Sequence, residues 1–297
     1  MTPGRKVASI AALSLPMISI AYFALDLYLA SRAPTLEQWQ AAAEAVRLGW
    51  REGDTVVFAP QWAQEGAPFF AGLNPVTGEA VDWYELQKRG RVWSVGFRGA
   101  IPEGIFGLSE VERLDLEKVT VRLYEPEPTR PKLLYDFRVR LEDARVTRVH
   151  KDRREDCEVW RDEAWHCGTP HPWQNVGRRR MDAGGTIRDV IWAHPLDKGE
   201  PLEVRWPAVL FGKRLVVHYG YGQRAVDSEN KVEPVTFKVR VGEETVIVAT
   251  LDVLDNVWHE EVIDTSGRAG QRGEVVFTVT APDHRDRYFG FTADSWE

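Results

Sequence analysis

Cysteine occurs only twice and methionine only three times among 297 residues. Cys157 and Cys167 bracket Glu158 to His166, a spacing that suits a hairpin or tight loop closed by a disulfide. His166 and His171 lie close by, but the arrangement lacks the paired ligand spacing of zinc sites, so a disulfide is expected first, free thiols next and a metal site last. Excess positive charge is also missing. Thirty-eight Lys and Arg stand against 45 Asp and Glu, a formal net charge of −7, and no basic stripe interrupts it, which excludes a nucleic-acid partner. Two catalytic signatures are absent: there is no G-x-S-x-G elbow and no G-x-x-x-x-G-K-[ST] phosphate loop. No tandem repeat of fixed period occurs.

What is present is core material. Apolar residues make up 43% and charged residues 28%, which excludes disorder and allows one large domain or two ordinary ones. Twelve Trp, 24 Gly and 17 Pro lean toward β-structure and away from a helical bundle. Arg5 and Lys6 precede Val7 to Leu25, a 19-residue stretch without a charge that ends at Asp26. At ~1.5 Å per residue it is about long enough for a bilayer core of ~30 Å. Small-x-small cleavage options (Ala30 to Ala33) lie beyond Asp26 and Tyr28, so residues 1–32 read as an uncleaved signal-anchor. The expectation is a single-pass protein of a bacterial inner membrane, in the bilayer through residues 7–25, with its bulk on the periplasmic side.

Residues 33–124 read as a small α/β domain. Thr35 and Gln38 form a capping box, and Leu36, Trp39, Ala43, Val46 and Trp50 recur at helical spacing up to Gly49. Thr55 to Ala59 is a short apolar run suited to a buried strand. A helical pattern around Val81, Tyr84, Leu86 and Lys88, the strand-like Arg91 to Phe97, a helical stretch from Leu108 to Leu114 and the strand-like Val119 to Tyr124 follow. This order predicts three mostly parallel strands. The prolines of residues 125–132 mark a linker. Residues 133–297 then change to a period of two, in Tyr135, Phe137, Val139 and Leu141 and again in Val235, Phe237, Val239 and Val241. Further strands are expected over 186–194, 202–206, 214–219, 244–251, 257–263, 274–281 and 287–292, with Lys151 to Asp156 a solvated charged loop. The predicted fold class is α+β: a membrane helix, a three-strand α/β layer and an antiparallel β-sandwich of jelly-roll type.

Pro234 to Val241, Trp258-His259, Ile263 to Ser266, Gly273 to Thr280 and Tyr288 to Phe291 carry a resemblance of residues 185–297 to galactose-binding-like jelly rolls, the sandwich of many carbohydrate-binding modules. Residues 34–124 resemble, through Trp39 to Trp50, Gly53 to Pro60, Arg91-Val92-Trp93 and Val119 to Tyr124, the extracytoplasmic α/β domain of polytopic lipid-linked glycosyltransferases. Those transferases carry their catalytic carboxylates on a multi-span core. With one candidate span here, the resemblance implies an accessory module without the catalytic part.

Individual motifs point the same way. Gly220 to Ala225 spells G-x-G-x-x-A, but no helical periodicity follows, so it reads as a strand connection. His259-Glu260-Glu261 has Ile263 where a zinc peptidase has its second His. Exposed aromatics beside polar groups suit the apolar faces of sugars. The candidate binding residues are Trp160, Trp165 and Trp173 around the cysteines, Trp258, and Arg180 within Arg178-Arg179-Arg180. Trp192 and His194, two apart with Val190, are expected to point into the core. No catalytic residue, metal or cofactor is assigned. The function expected is a membrane-anchored, non-catalytic module for a glycan or an envelope protein. An accessory subunit of a membrane complex and a glycan-active enzyme are the alternatives.

Overall fold

Strands dominate, as the β-branched and aromatic composition favours. The computed structural model describes residues 19–28, 31–60, 63–73, 75–76, 86, 88–102, 105, 107–150, 153–168, 173–226, 234–252, 255–283 and 285–297. Most of the expected span, residues 7–18, lies outside these, as do residues 81–85 and 87 of the second helical pattern. Among the described residues no helix is long and apolar enough to cross a membrane. The chain divides into two compact units: Met1–Thr77, Arg89–Glu103 and Leu108–Pro126 form one, and Gly78–Lys88, Gly104–Gly107 and Glu127–Glu297 the other.

In the first unit, helix α1 (Leu36–Gly49) opens with the expected capping box. The Thr35 hydroxyl accepts from the Gln38 amide, and the Gln38 side chain accepts from the Thr35 amide. Trp39, Ala42, Ala43 and Val46 are buried, whereas Leu36 in the first turn is exposed. Strands β1 (Thr55–Ala59), β2 (Val92–Phe97), β3 (Leu108–Leu116) and β4 (Val119–Pro126) form one sheet in the order β1-β2-β4-β3. The buried face of α1 shares a core with Val56, Phe58, Trp93, Val95, Val121 and Leu123.

Two expectations are corrected here. Leu108 to Leu114 is not helical but belongs to β3, because a bulge between Glu110 and Glu112 breaks the strand alternation and leaves Leu108, Val111 and Leu114 at a helix-like spacing. The sheet is not mostly parallel either. Only β1 and β2 run parallel, since β3 and β4 are joined by a tight turn at Glu117, which allows antiparallel pairing alone.

Asp54 anchors this unit. It is 3% exposed and accepts from the Arg51 amide at 2.9 Å, from Arg91 Nε at 3.0 Å and from Trp93 Nε1 at 2.9 Å. Burial raises its pKa, but the Arg91 hydrogen bond, with those from the Arg51 amide and Trp93, outweighs burial and holds the carboxyl below its ordinary value.

The second unit contains β5 (Leu133–Asp136), β6 (Arg145–His150), β7 (Arg153–Asp156), β8 (Val159–Arg161), β9 (Ala164–His166), β10 (Asn175–Ala183), β11 (Thr186–Ala193), β12 (Leu202–Leu210) and β13 (Arg214–Tyr221). A one-turn helix α2 (Gln223–Val226) precedes β14 (Val235–Val241), β15 (Glu244–Leu251), β16 (His259–Asp264), β17 (Arg272–Thr280) and β18 (Phe289–Trp296). One sheet runs β16-β13-β18-β11-β10-β9-β8, with β5 also paired to β18, and the other runs β15-β14-β17-β12-β6-β7. Their inner faces form one core rich in aromatics, a two-sheet β-sandwich. Phe277 of one sheet stacks on Phe291 of the other at 4.7 Å, Tyr219 meets Phe237 at 5.0 Å, and Phe137 meets Trp206 at 5.0 Å.

The alternation of Tyr135 to Leu141 is not one strand. β5 stops at Asp136, whose carboxylate accepts from the Val139 amide and turns the chain, so Val139 is exposed while Phe137 and Leu141 are buried. Residues 153–156 are not a loop but strand β7, an edge whose charges face solvent. Cys157 and Cys167 are joined by a disulfide that closes the β8–β9 hairpin.

Asp54→Ala leaves the Arg91 guanidinium and the Trp93 indole without their shared acceptor. A loss of ~3 kcal/mol, read as an earlier urea midpoint in a probe of the first unit, is expected. Replacing Cys157 and Cys167 by Ala is expected to lower stability by ~3 kcal/mol, with wild-type protein in reductant matching the double variant in thermal melts.

Candidate ligand-binding site

The outer faces of the two sheets differ in how their charges are spent. On the sheet containing β12, Glu203 takes Arg154 at 2.9 Å, Glu274 takes Arg205 at 3.1 Å and Arg240 at 2.9 Å, and Arg205 also reaches Glu203 at 3.6 Å. Each of these three arginines is thus held by one or both of two glutamates. On the other sheet the outer face carries aromatics and arginines around a cavity of about 890 Å³.

The β10–β11 hairpin builds that cavity. Gly184 (φ 60°) and Gly185 (φ 81°) supply the two left-handed positions of a two-residue turn. The turn sets the register that pairs Gly177 with Trp192, Arg179 with Val190 and Met181 with Arg188, all on the outer face. Ile191 and Ala193 face the sandwich core instead. Trp192 and His194 are buried, as expected, but the expectation is corrected in that they do not face the sandwich core. Val190 and Trp192 form a separate small cluster with Met181, Trp258 and Tyr288, and Trp192 and His194 line the cavity. A strand covered on both faces reads as a continuous apolar run, which hides the side each residue takes.

Trp192 is the hub of the wall. Its ring lies 5.6 Å from Tyr288 and 5.7 Å from His194, the Arg179 guanidinium sits 5.7 Å from its centroid, and its Nε1 donates to the Trp173 carbonyl at 3.3 Å. Trp173 is 46% exposed at the rim. Gly222 and Arg224 close the cavity from α2 and the turn before it, and Arg285 closes it from the loop before β18. A Cβ on Gly222 would approach Met181 Cγ at 3.0 Å, so a side chain there would crowd the floor.

Of the five residues singled out from sequence, Trp173 and Arg180 meet at this cavity. Arg180 is on the alternate strand position from Arg179 and reaches Asp189 at 3.5 Å. Trp160 and Trp165 lie 5.3 Å apart and pack on the sandwich core, where Trp165 donates to the Leu141 carbonyl at 2.9 Å and Arg178 covers Trp160. Trp258 donates to the Thr186 carbonyl at 2.8 Å and lies over Gly220, where a Cβ would come within 3.2 Å of its ring. Sequence reasoning missed Arg179, Arg224, Arg285 and Tyr288. The only signal for Arg179 was its place in the arginine run; Arg224 stands in a one-turn helix, and Arg285 and Tyr288 in the segment before β18, all too short for a period to mark a side.

Beside this region the outer face holds buried charge. Asp294 is fully buried and takes Lys88 Nζ at 2.8 Å, while His218 Nε2 lies 2.8 Å from Glu260. Burial, reinforced by the Arg188 and Lys88 cations, pushes the His218 imidazole down to about 2 despite the Glu260 carboxylate. His218 is therefore neutral and donates its Nε2 proton to Glu260.

No family model matches the chain, and no curated protein matches it. Solved structures do. The CBM51-2 and INT domains of Clostridium perfringens ZmpB, in complex with GlcNAc, match at 14% identity over 40% of this chain and 26% of that one, with a TM-score of 0.31. The matched part thus spans about a quarter of the ZmpB chain. The CBM51 of a Clostridium perfringens GH95, in complex with methyl-galactose, matches at 12% identity over 40% of this chain and 81% of that one, with a TM-score of 0.26. TmCBM27, a carbohydrate-binding module that recognises mannan, matches at 7% identity over 64% of this chain and 98% of that one, with a TM-score of 0.27. Scores this low bear on neither ligand nor activity, and the sandwich described above rests on its own strand pairing.

Because His218 is neutral in the fold but has an ordinary pKa of ~6.5 when unfolded, the unfolded chain binds the extra proton below that value. Stability is complete above pH ~6.5 and falls as pH drops toward the folded pKa, by ~1.4 kcal/mol per pH unit, or about 2 kcal/mol between pH 6.5 and 5. Urea melts at pH 7 and 5 are expected to record this loss in the wild type and a smaller one in His218→Gln.

Proposed function

We propose that the second unit is a non-catalytic glycan-binding module of jelly-roll type, and that its ligand lies in the cavity beside Trp173. The observation that carries this reading is an exposed indole at the rim of a cavity walled by Trp192 and Tyr288 and edged by hydrogen-bonding side chains. Sugars offer apolar C–H faces flanked by hydroxyls, and an aromatic wall with guanidinium donors complements both. Carboxylates are the minority in the lining, and the Asp182 Oδ1 accepts from the Gly185 amide of its own hairpin, so the cavity favours holding a ligand over acid–base chemistry on it.

In the same reading the module is displayed outside the cytoplasm on a membrane tether formed by residues 7–25. The disulfide suits an oxidising compartment. The described end of that stretch is helical and exposes Ile20, Tyr22, Phe23 and Leu25.

Titration of the full chain in mild detergent with a panel of envelope oligosaccharides, followed by tryptophan fluorescence, tests the reading. A saturable change is expected, weakened at least about tenfold (~1.4 kcal/mol) in Trp173→Ala and unaltered in Trp160→Ala. Flat traces across the panel from folded protein would overturn it.

A further inference from the structure

The charges around the cavity balance in number, with Asp189 and Asp283 at its edge included, but they are not all paired. Four guanidinium groups and two carboxylates line it, on a chain whose formal net charge is −7. Two of the four are held by partners at its edge. Arg180 reaches Asp189 at 3.5 Å, and Arg285 binds Asp283 through Nε at 2.8 Å and Nη2 at 2.6 Å. The Arg285 hydrogen bond, with that from the Arg285 amide, holds the Asp283 carboxyl down at about 2, so that pair stays charged and closed. Arg179 and Arg224 form no ion pair among the described residues, and both border the cavity. Arg179 is fixed instead by the Trp192 ring beneath it. The ladder on the opposite sheet, where glutamates take up arginines, is the contrast: here two cations converge on an aromatic-walled cavity and are left for something else.

We infer that the ligand of this cavity is an acidic sugar, whose carboxylate or sulfate is taken by Arg179 and Arg224 while its ring lies against Trp173. The inference rests on the glycan-binding reading and narrows it. A guanidinium presents parallel N–H donors that match the two oxygens of a carboxylate or two of a sulfate. Lysine in either place would supply charge without the fork, so the pattern favours recognition of a planar or tetrahedral oxyanion over general attraction to polyanions.

The test uses the full chain in mild detergent and three probes: a tetragalacturonate, the same tetrasaccharide with its carboxyls reduced to alcohols, and a chondroitin sulfate tetrasaccharide. Calorimetric titration is expected to give at least tenfold tighter binding of an acidic probe than of the reduced one. The uronate and sulfate arms tell which oxyanion is preferred. Arg179→Gln and Arg224→Gln are each expected to lose about tenfold for the acidic probe and little for the reduced one, whereas Arg153→Gln on the opposite sheet leaves both unchanged. Both sites are exposed, and Arg224→Lys, which keeps the charge and loses the fork, is expected to fall between wild type and Arg224→Gln. Equal binding of acidic and reduced probes would overturn the inference and leave the glycan-binding reading standing. An acidic preference that survives both glutamine variants would overturn the assignment to this cavity. Binding of none of the three probes would overturn the inference, and only flat traces across the wider oligosaccharide panel would overturn the reading beneath it.

Discussion

Stacking of Phe277 on Phe291, with the rings 4.7 Å apart, closes the sandwich, and the side taken by every other residue of these strands follows from it. Once Phe291 faces inward, the pleat sends Phe289 and Ala293 the same way and turns Gly290, Thr292 and Asp294 outward. Gly290 then lies opposite Trp192. A Cβ there would come within 2.9 Å of Val190 and 3.0 Å of Met181 Cε, so the bare backbone is what lets that second, smaller apolar layer settle on the outer face. Without this layer Trp192 would have no support, and the wall of the cavity would have no fixed side.

Much of the fold can be read from the chain because local chemistry and tertiary packing agree. The Thr35–Gln38 cap needs only neighbours in sequence, and β14 alternates cleanly because one of its faces is buried and the other is wet. The cysteine pair is legible since so short a loop leaves little choice of geometry. Legibility ends where one period conceals another. A single extra residue at Val111 turned an edge strand into an apparent helix, and Asp136 ended a strand whose alternation continued past it. The cavity was half legible. Trp173 stands out as an aromatic in a polar segment, but the sides taken by Arg179 and Arg180 depend on the two-glycine turn several residues away.

The two outer faces also illustrate how similar residues serve different ends. Arginines beside glutamates on neighbouring strands produce a surface whose cations are held by ion pairs. Arginines beside tryptophan and tyrosine produce a surface with charge and apolar area in the same place. The second arrangement is the less comfortable one for a protein alone in water, and that tension is a reason to look for binding there.

The Lys88–Asp294 pair has a consequence for the order of events during synthesis. Gly78–Lys88 belongs to the second unit yet is inserted in the chain of the first, between β1 and β2, and its lysine is matched by an aspartate in the last strand. A ribosome moving at ~5–20 residues per second delivers Asp294 roughly ten to forty seconds after Lys88. Asp136, which also reaches the lysine at 3.6 Å, is made much sooner, so Lys88 has one carboxylate within reach early and its fully buried one only at the end. The last strand therefore does more than extend the sheet: its arrival completes around Lys88 a charge pairing that Asp136 begins.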